Sequence, residues 1–79
     1  IAAYRFLAEL MHEIPRSVRA HTRVEEGDPG EVTVVVAAEE ESHLIVMGSR
    51  GFGTFERIAF GSVSTYVTHH AHSPVLLVK

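Results

Sequence analysis

The sequence predicts an α/β architecture in which helices flank an open, mostly parallel sheet, and three observations point to it. Helical and strand periods alternate along the 79 residues as helix, strand, helix, strand, helix, strand. Residues 43–48 contain a continuous apolar run without alternation, the pattern of a strand buried on both faces. The connections are long enough for helical crossovers, which run right-handed and set successive strands parallel.

Residues 2–14 read as the first helix. Ala3, Leu7, Leu10 and Ile14 recur at helical spacing, Arg5, Glu9 and Glu13 share another face, and Pro15 ends the pattern. Val18, Ala20, Thr22 and Val24 then alternate with Arg19, His21, Arg23 and Glu25, which predicts a half-exposed strand near a sheet edge. Gly27-Asp28-Pro29-Gly30-Glu31 punctuates the chain. Asp28 suits a helix cap, Pro29 its first position, and Glu31 the carboxylate of a capping box. The residues that follow, 32–38, are contested. Val34-Val35-Val36 favours a strand by propensity, whereas the cap before and Glu39-Glu40-Glu41 after favour a helix, and the reading is helix. The apolar strand of 43–48 comes next, then a glycine-containing loop over 50–60. Residues 61–71 read as a helix with Val63, Val67 and Ala71 on one face, stopped by Ser73-Pro74. Residues 74–79 form a last short apolar strand, with Pro74 at its tolerated first position.

Composition limits the function. The length suits one small domain, residues 1–79, with a marginal core. At 46% hydrophobic and 22% charged residues the composition is that of an ordinary globular protein. A net charge of −3, with Lys79 as the only lysine, argues against nucleic acid or a membrane surface as partner. The chain has no cysteine, which removes disulfides and thiolate metal sites and fits a cytoplasmic location. No signal segment or membrane-length apolar run is visible, and the chain opens on Ile1, so a longer natural protein is expected.

The segment with most chemical content is Leu44-Ile45-Val46-Met47-Gly48-Ser49-Arg50-Gly51, followed by Gly61-Ser62. Gly48 to Gly53 has the glycine spacing of a Walker A loop, but Thr54-Phe55 stands where Lys-Ser or Lys-Thr is required. A dinucleotide fingerprint begun at Gly51 needs a glycine where Glu56 stands. A phosphate site of another kind still has a mechanism. Gly48 ends a strand where open α/β sheets place ligands, and Gly61, Ser62 and Val63 open a helix whose first N–H groups and dipole favour an anion. Spacing alone leaves an alternative standing: the glycines turn the chain and Ser62 caps a helix.

Gly48-x-x-Gly51, nine residues, then Gly61-Ser62 resembles the nucleotide-binding signature of the universal stress protein family. The resemblance extends to Gly27-Asp28-Pro29, to Gly61-Ser62-Val63-Ser64 and to Pro74-Val75-Leu76-Leu77-Val78, in the family's order and spacing across almost the whole chain. It implies a flavodoxin-like (Rossmann-like) fold and membership of the ATP-binding branch. Met47, Gly48, Ser49, Arg50, Gly51, Phe52 and Gly53 would then surround ribose and phosphates, and Gly61, Ser62 and Val63 would hold phosphate from the helix start. Arg50 and Thr54 are weaker donors. ATP is the implied cofactor, with Mg²⁺ beside it, although no magnesium carboxylate adjoins the loop in sequence. A homodimer through residues 74–78, Pro74 to Val78, is also implied. The chain resembles the C-terminal part of the family's domain. The first two strands, with their aspartate and adenine contact, are expected before Ile1, and the family's strand order three, two, one, four, five leaves the strand of 18–24 without its neighbours. His43 stands where the family often has aspartate.

The remaining features read more plainly. His69, His70 and His72 suit a helix C-terminus, where imidazoles interact well with the dipole, rather than a metal site. Glu39-Glu40-Glu41 reads as a solvated face. Phe52, Phe55 and Phe60 read as anchors for the glycine loop. No catalytic set can be assembled around Asp28, the sole aspartate. Three functions follow: an ATP-dependent stress-response switch, a dimerisation module without nucleotide, or a slow ATPase.

Overall fold

A computed structural model describes residues 2–48 and 61–79. The described elements are helix α1 (Ala2–Met11), helix α2 (Pro29–Glu39), strand β1 (Ile45–Gly48), helix α3 (Ser62–His70) and strand β2 (Val75–Val78). The chain is therefore α/β, as its periodicity predicts, and β1 pairs with β2 in parallel, Ile45 opposite Val75 and Gly48 opposite Val78. This is the arrangement of a flavodoxin-like β–α–β crossover. The predicted loop of 50–60, with Phe52, Phe55 and Phe60, lies outside the described residues.

α2 forms despite its valines because both ends are closed. The Glu31 N–H donates to the Asp28 carboxylate at 3.1 Å, and Pro29 occupies the first turn. Thr33 returns its hydroxyl proton to the Pro29 carbonyl at 2.7 Å. At the other end the Ser42 N–H donates to the Ala37 carbonyl at 2.9 Å and the Glu41 N–H to the Ala38 carbonyl at 3.2 Å. With Glu41 at φ 52°, these bonds make a Schellman closure. Gly27, at φ 133°, turns the chain into the cap in a conformation that L side chains rarely adopt.

Packing rests on α2 against α3, on β1 beside β2, and on α3 against β2. Val67 is wholly buried, Ile45 and Ser64 nearly so, and Gly30 lies against Tyr66. A β-carbon on Gly30 would sit 2.9 Å from Tyr66 Cδ1 and 3.1 Å from Tyr66 Cβ. The hydrogen at this position is what lets the two helices approach.

Three sequence expectations need correction. Residues 18–24 do not form a strand; they run as irregular chain, and Val18 is exposed. A strand needs a partner for its backbone groups, and none pairs with this segment among the described residues. The first helix stops at Met11, and the N–H groups of His12, Glu13 and Ile14 donate three residues back in a tightened turn ahead of Pro15. β1 is buried on one face only: Ile45 is 8% exposed and Val46 58%. The opposite face, with Val46, Leu76 and Val78, is half open. No helix among the described residues is long and apolar enough to cross a membrane.

Candidate functional site

Because β1 and β2 are parallel, α3 returns antiparallel to them, and its N-terminus lies at their carboxyl end. That end is where open α/β sheets bind ligands. Gly48 closes β1 there and is exposed, with Met47 half-buried before it. Ser49, Arg50, Gly51, Phe52 and Gly53 lie outside the described residues, as does Thr54.

The start of α3 is built differently from the start of α2. Its N-cap is Gly61, extended at φ −75° and ψ 168°, and no side chain caps it. The Gly61 carbonyl accepts from the Thr65 N–H and from the Ser64 and Thr65 hydroxyls, each at 3.0 Å, which fixes the first turn from inside. Ser62 is exposed and Val63 half-buried. The Ser62 and Val63 N–H groups belong to the turn that has no acceptor within its own helix. The first turn also carries no carboxylate. In α2 the equivalent place is filled by Asp28 and Glu31. Among the described residues, the start of α2 is thus occupied by its own acids, whereas the first turn of α3 carries none. Gly48, Gly61, Ser62 and Val63 stand at this one end of the fold, Gly61 to Val63 continuous in the opening turn of α3. Ser62 is the first residue of the helix rather than its cap.

The histidines are placed as their sequence position suggests. His69 and His70 lie in the last turn of α3, and the His70 ring packs on Tyr66 with centroids 4.0 Å apart. His72 follows the helix. No cluster of three metal-binding side chains occurs among the described residues.

Sequence reasoning missed one group of charges. Arg23 lies 3.1 Å from Glu25, Glu39 and Glu40, and His21 lies 3.0 Å from Glu40. Glu39 and Glu40 are therefore engaged rather than simply solvated. The hydrogen bond from His21, and then that from Arg23, holds the Glu40 carboxyl below its ordinary range. The available signal was three carboxylates at a helix C-terminus, where the dipole disfavours them and a cation is needed nearby.

A parallel strand that ends on Gly48 and a helix with Gly61 at its N-cap belong to an α/β protein built on a parallel sheet. The comparisons with known proteins narrow this class. The model of the Universal stress protein family matches residues 2–79. A universal stress protein of Methanocaldococcus jannaschii is 45% identical over 62 residues, 78% of this chain and 36% of the relative. A universal stress protein A-like protein of Arabidopsis thaliana is 32% identical over 74 residues, 94% of this chain and 41% of the relative. A universal stress protein of Synechocystis is 42% identical over 52 residues, 66% of this chain and 48% of the relative. No solved structure gives a significant match. The chain belongs to the universal stress protein family. It spans between about a third and a half of the length of these relatives.

Proposed function

We propose that this chain supplies the phosphate end of an ATP site, with Mg²⁺ on the ATP phosphates, in a protein that acts as a nucleotide-dependent stress-response switch. The observation that carries the reading is the contrast between the two helix starts. Asp28 closes α2, whereas Gly61 leaves α3 uncapped at the carboxyl end of the sheet. A triphosphate placed there would accept from the Ser62 and Val63 N–H groups and from the Ser62 hydroxyl, with the glycine-rich residues 48–53 wrapping its other side. Phosphate contacts that order a loop are a recognised way to switch a protein. The stress role is supported by family membership. A cytoplasmic location fits the absence of cysteine.

The test is equilibrium binding of ATP to the chain and to two variants. Gly61→Val should weaken binding by on the order of tenfold, because it places a branched side chain where a charged acceptor approaches the backbone. Ser62→Ala should weaken it by a smaller factor. Unchanged affinity in both variants would remove the assignment.

A second reading has its own observation. Leu76 and Val78 are about half exposed, and β2 pairs with β1 along one edge alone among the described residues. A homodimer formed by pairing residues 74–78 across that edge would use the free backbone groups. If pairing is the sole function, the chain dimerises and ATP leaves its melting temperature unmoved.

A further inference from the structure

One peptide group at the start of α3 is held more firmly than its residue types suggest. The plane joining Gly61 to Ser62 turns on ψ of Gly61, here 168°, and glycine leaves that angle a wider range than any other residue. Gly61 also has no side chain with which to cap the helix. Its carbonyl nevertheless accepts three hydrogen bonds, from the Thr65 N–H and from the hydroxyls of Ser64 and Thr65, each at 3.0 Å. Hydroxyls bonded back to the helix backbone occur elsewhere in the chain: Thr33 donates to the Pro29 carbonyl and Thr68 to that of Ser64, both at 2.7 Å. Each of those carbonyls takes one described hydroxyl, whereas that of Gly61 takes two. The two are placed differently, since Ser64 is 2% exposed and Thr65 stands on the surface.

We propose that Ser64 and Thr65 are positioning residues for the phosphate site, their hydroxyls holding the Gly61–Ser62 peptide so that the Ser62 N–H is set for an anion before one arrives. This rests on the phosphate reading above and adds to it the residues that prepare the backbone. A trans peptide is planar, so its N–H points opposite to its C=O. The hydroxyls of Ser64 and Thr65 draw the Gly61 carbonyl toward the body of α3, which directs the Ser62 N–H away from it, past the helix start. The same bonds polarise the peptide, because hydrogen bonds in series strengthen one another. A donor already oriented also loses less freedom on binding than one that must first turn. Both side chains act through the backbone rather than on the anion.

The test is titration of the ¹⁵N-labelled 79-residue chain with tripolyphosphate, followed at the amides of Ser62 and Val63. Thr65→Val keeps the shape of an exposed side chain and removes its hydroxyl, and Ser64→Ala removes the buried one. Each should weaken binding by about threefold, as expected for one neutral hydrogen bond, and the double variant by on the order of tenfold. Thr65→Ser keeps the hydroxyl and should bind as the parent does. Thr68→Val removes the hydroxyl from the Ser64 carbonyl, one turn further on, and should leave the affinity unchanged; a general weakening of α3 would lower it as well. Without anion, the Ser62 amide nitrogen should shift in Thr65→Val and hold still in Thr68→Val. Should Ser64→Ala fail to fold, the Thr65 pair decides. A parent that binds while Thr65→Val and Ser64→Ala bind equally well, or a loss as large in Thr68→Val, overturns the positioning role and leaves the phosphate reading standing. A parent whose Ser62 and Val63 amides ignore millimolar tripolyphosphate overturns both.

Discussion

Glu41 carries a backbone conformation that its side chain opposes. It is the non-glycine residue of positive φ among those described, and it occupies the position of a Schellman closure where glycine is favoured. Glu41→Gly should therefore raise stability by about 0.5–1 kcal/mol, after the extra freedom of glycine in the unfolded chain is offset. Thermal melting checks this as a rise of several degrees; a fall would show that the Glu41 side chain makes a contact worth more than the strain. Glu40 sets a pH response. Its folded pKa is depressed, by His21 first and Arg23 second, so its contribution is fully present above the ordinary glutamate pKa and is lost as pH falls through the lower folded value. Glu40→Gln should flatten the acid limb of melting temperature against pH. An unchanged limb would place the acid sensitivity elsewhere. Local chemistry of this kind divides sharply in how far it can be read. Asp28 and Pro29 announce their cap because donor and acceptor lie three residues apart. Arg23 and Glu40 lie seventeen apart, and no local pattern joins them.

The pairing of α2 with α3 depends on Gly30. The β-carbon of Gly30→Ala would meet the ring and Cβ of Tyr66, and Tyr66 Cβ cannot swing aside without moving α3. The expected cost is about 1–3 kcal/mol, read as a lowered melting temperature or denaturant midpoint. Gly30→Ala together with Tyr66→Ala should recover part of that loss if the clash is its source, and no recovery would place the cost in the backbone. Elements differ in how far sequence specifies them. A helix satisfies its own backbone, so the caps of α2 outweigh the β-propensity of Val34, Val35 and Val36. A strand borrows its partners from elsewhere. The alternation of residues 18–24 cannot supply the neighbour that a strand requires, and Val18 is left exposed. β1 fails in a related way. Its apolar run matches burial on both faces, yet Ile45 alone is buried, and Val46, Leu76 and Val78 are left half open. Gly61, Ser62 and Val63 were legible as a helix start because glycine followed by small polar residues is a boundary signal. That this start, unlike that of α2, carries no acid of its own became visible only beside α2.

The molecule as a whole divides its two ends between two kinds of charge. At the amino end of β1, cations on an irregular segment answer the carboxylates of α2. At the carboxyl end, the first turn of α3 carries no carboxylate of its own. The family relationship fixes the architecture, and the phosphate reading rests on that second end. It is tested most directly by titrating the ¹⁵N-labelled chain with tripolyphosphate, an anion that lacks base and ribose. Amide shifts confined to Gly48, the 49–53 segment, Gly61, Ser62 and Val63, and lost in Gly61→Val, are the result expected. Shifts concentrated at the start of α2, or none at millimolar anion, would contradict it.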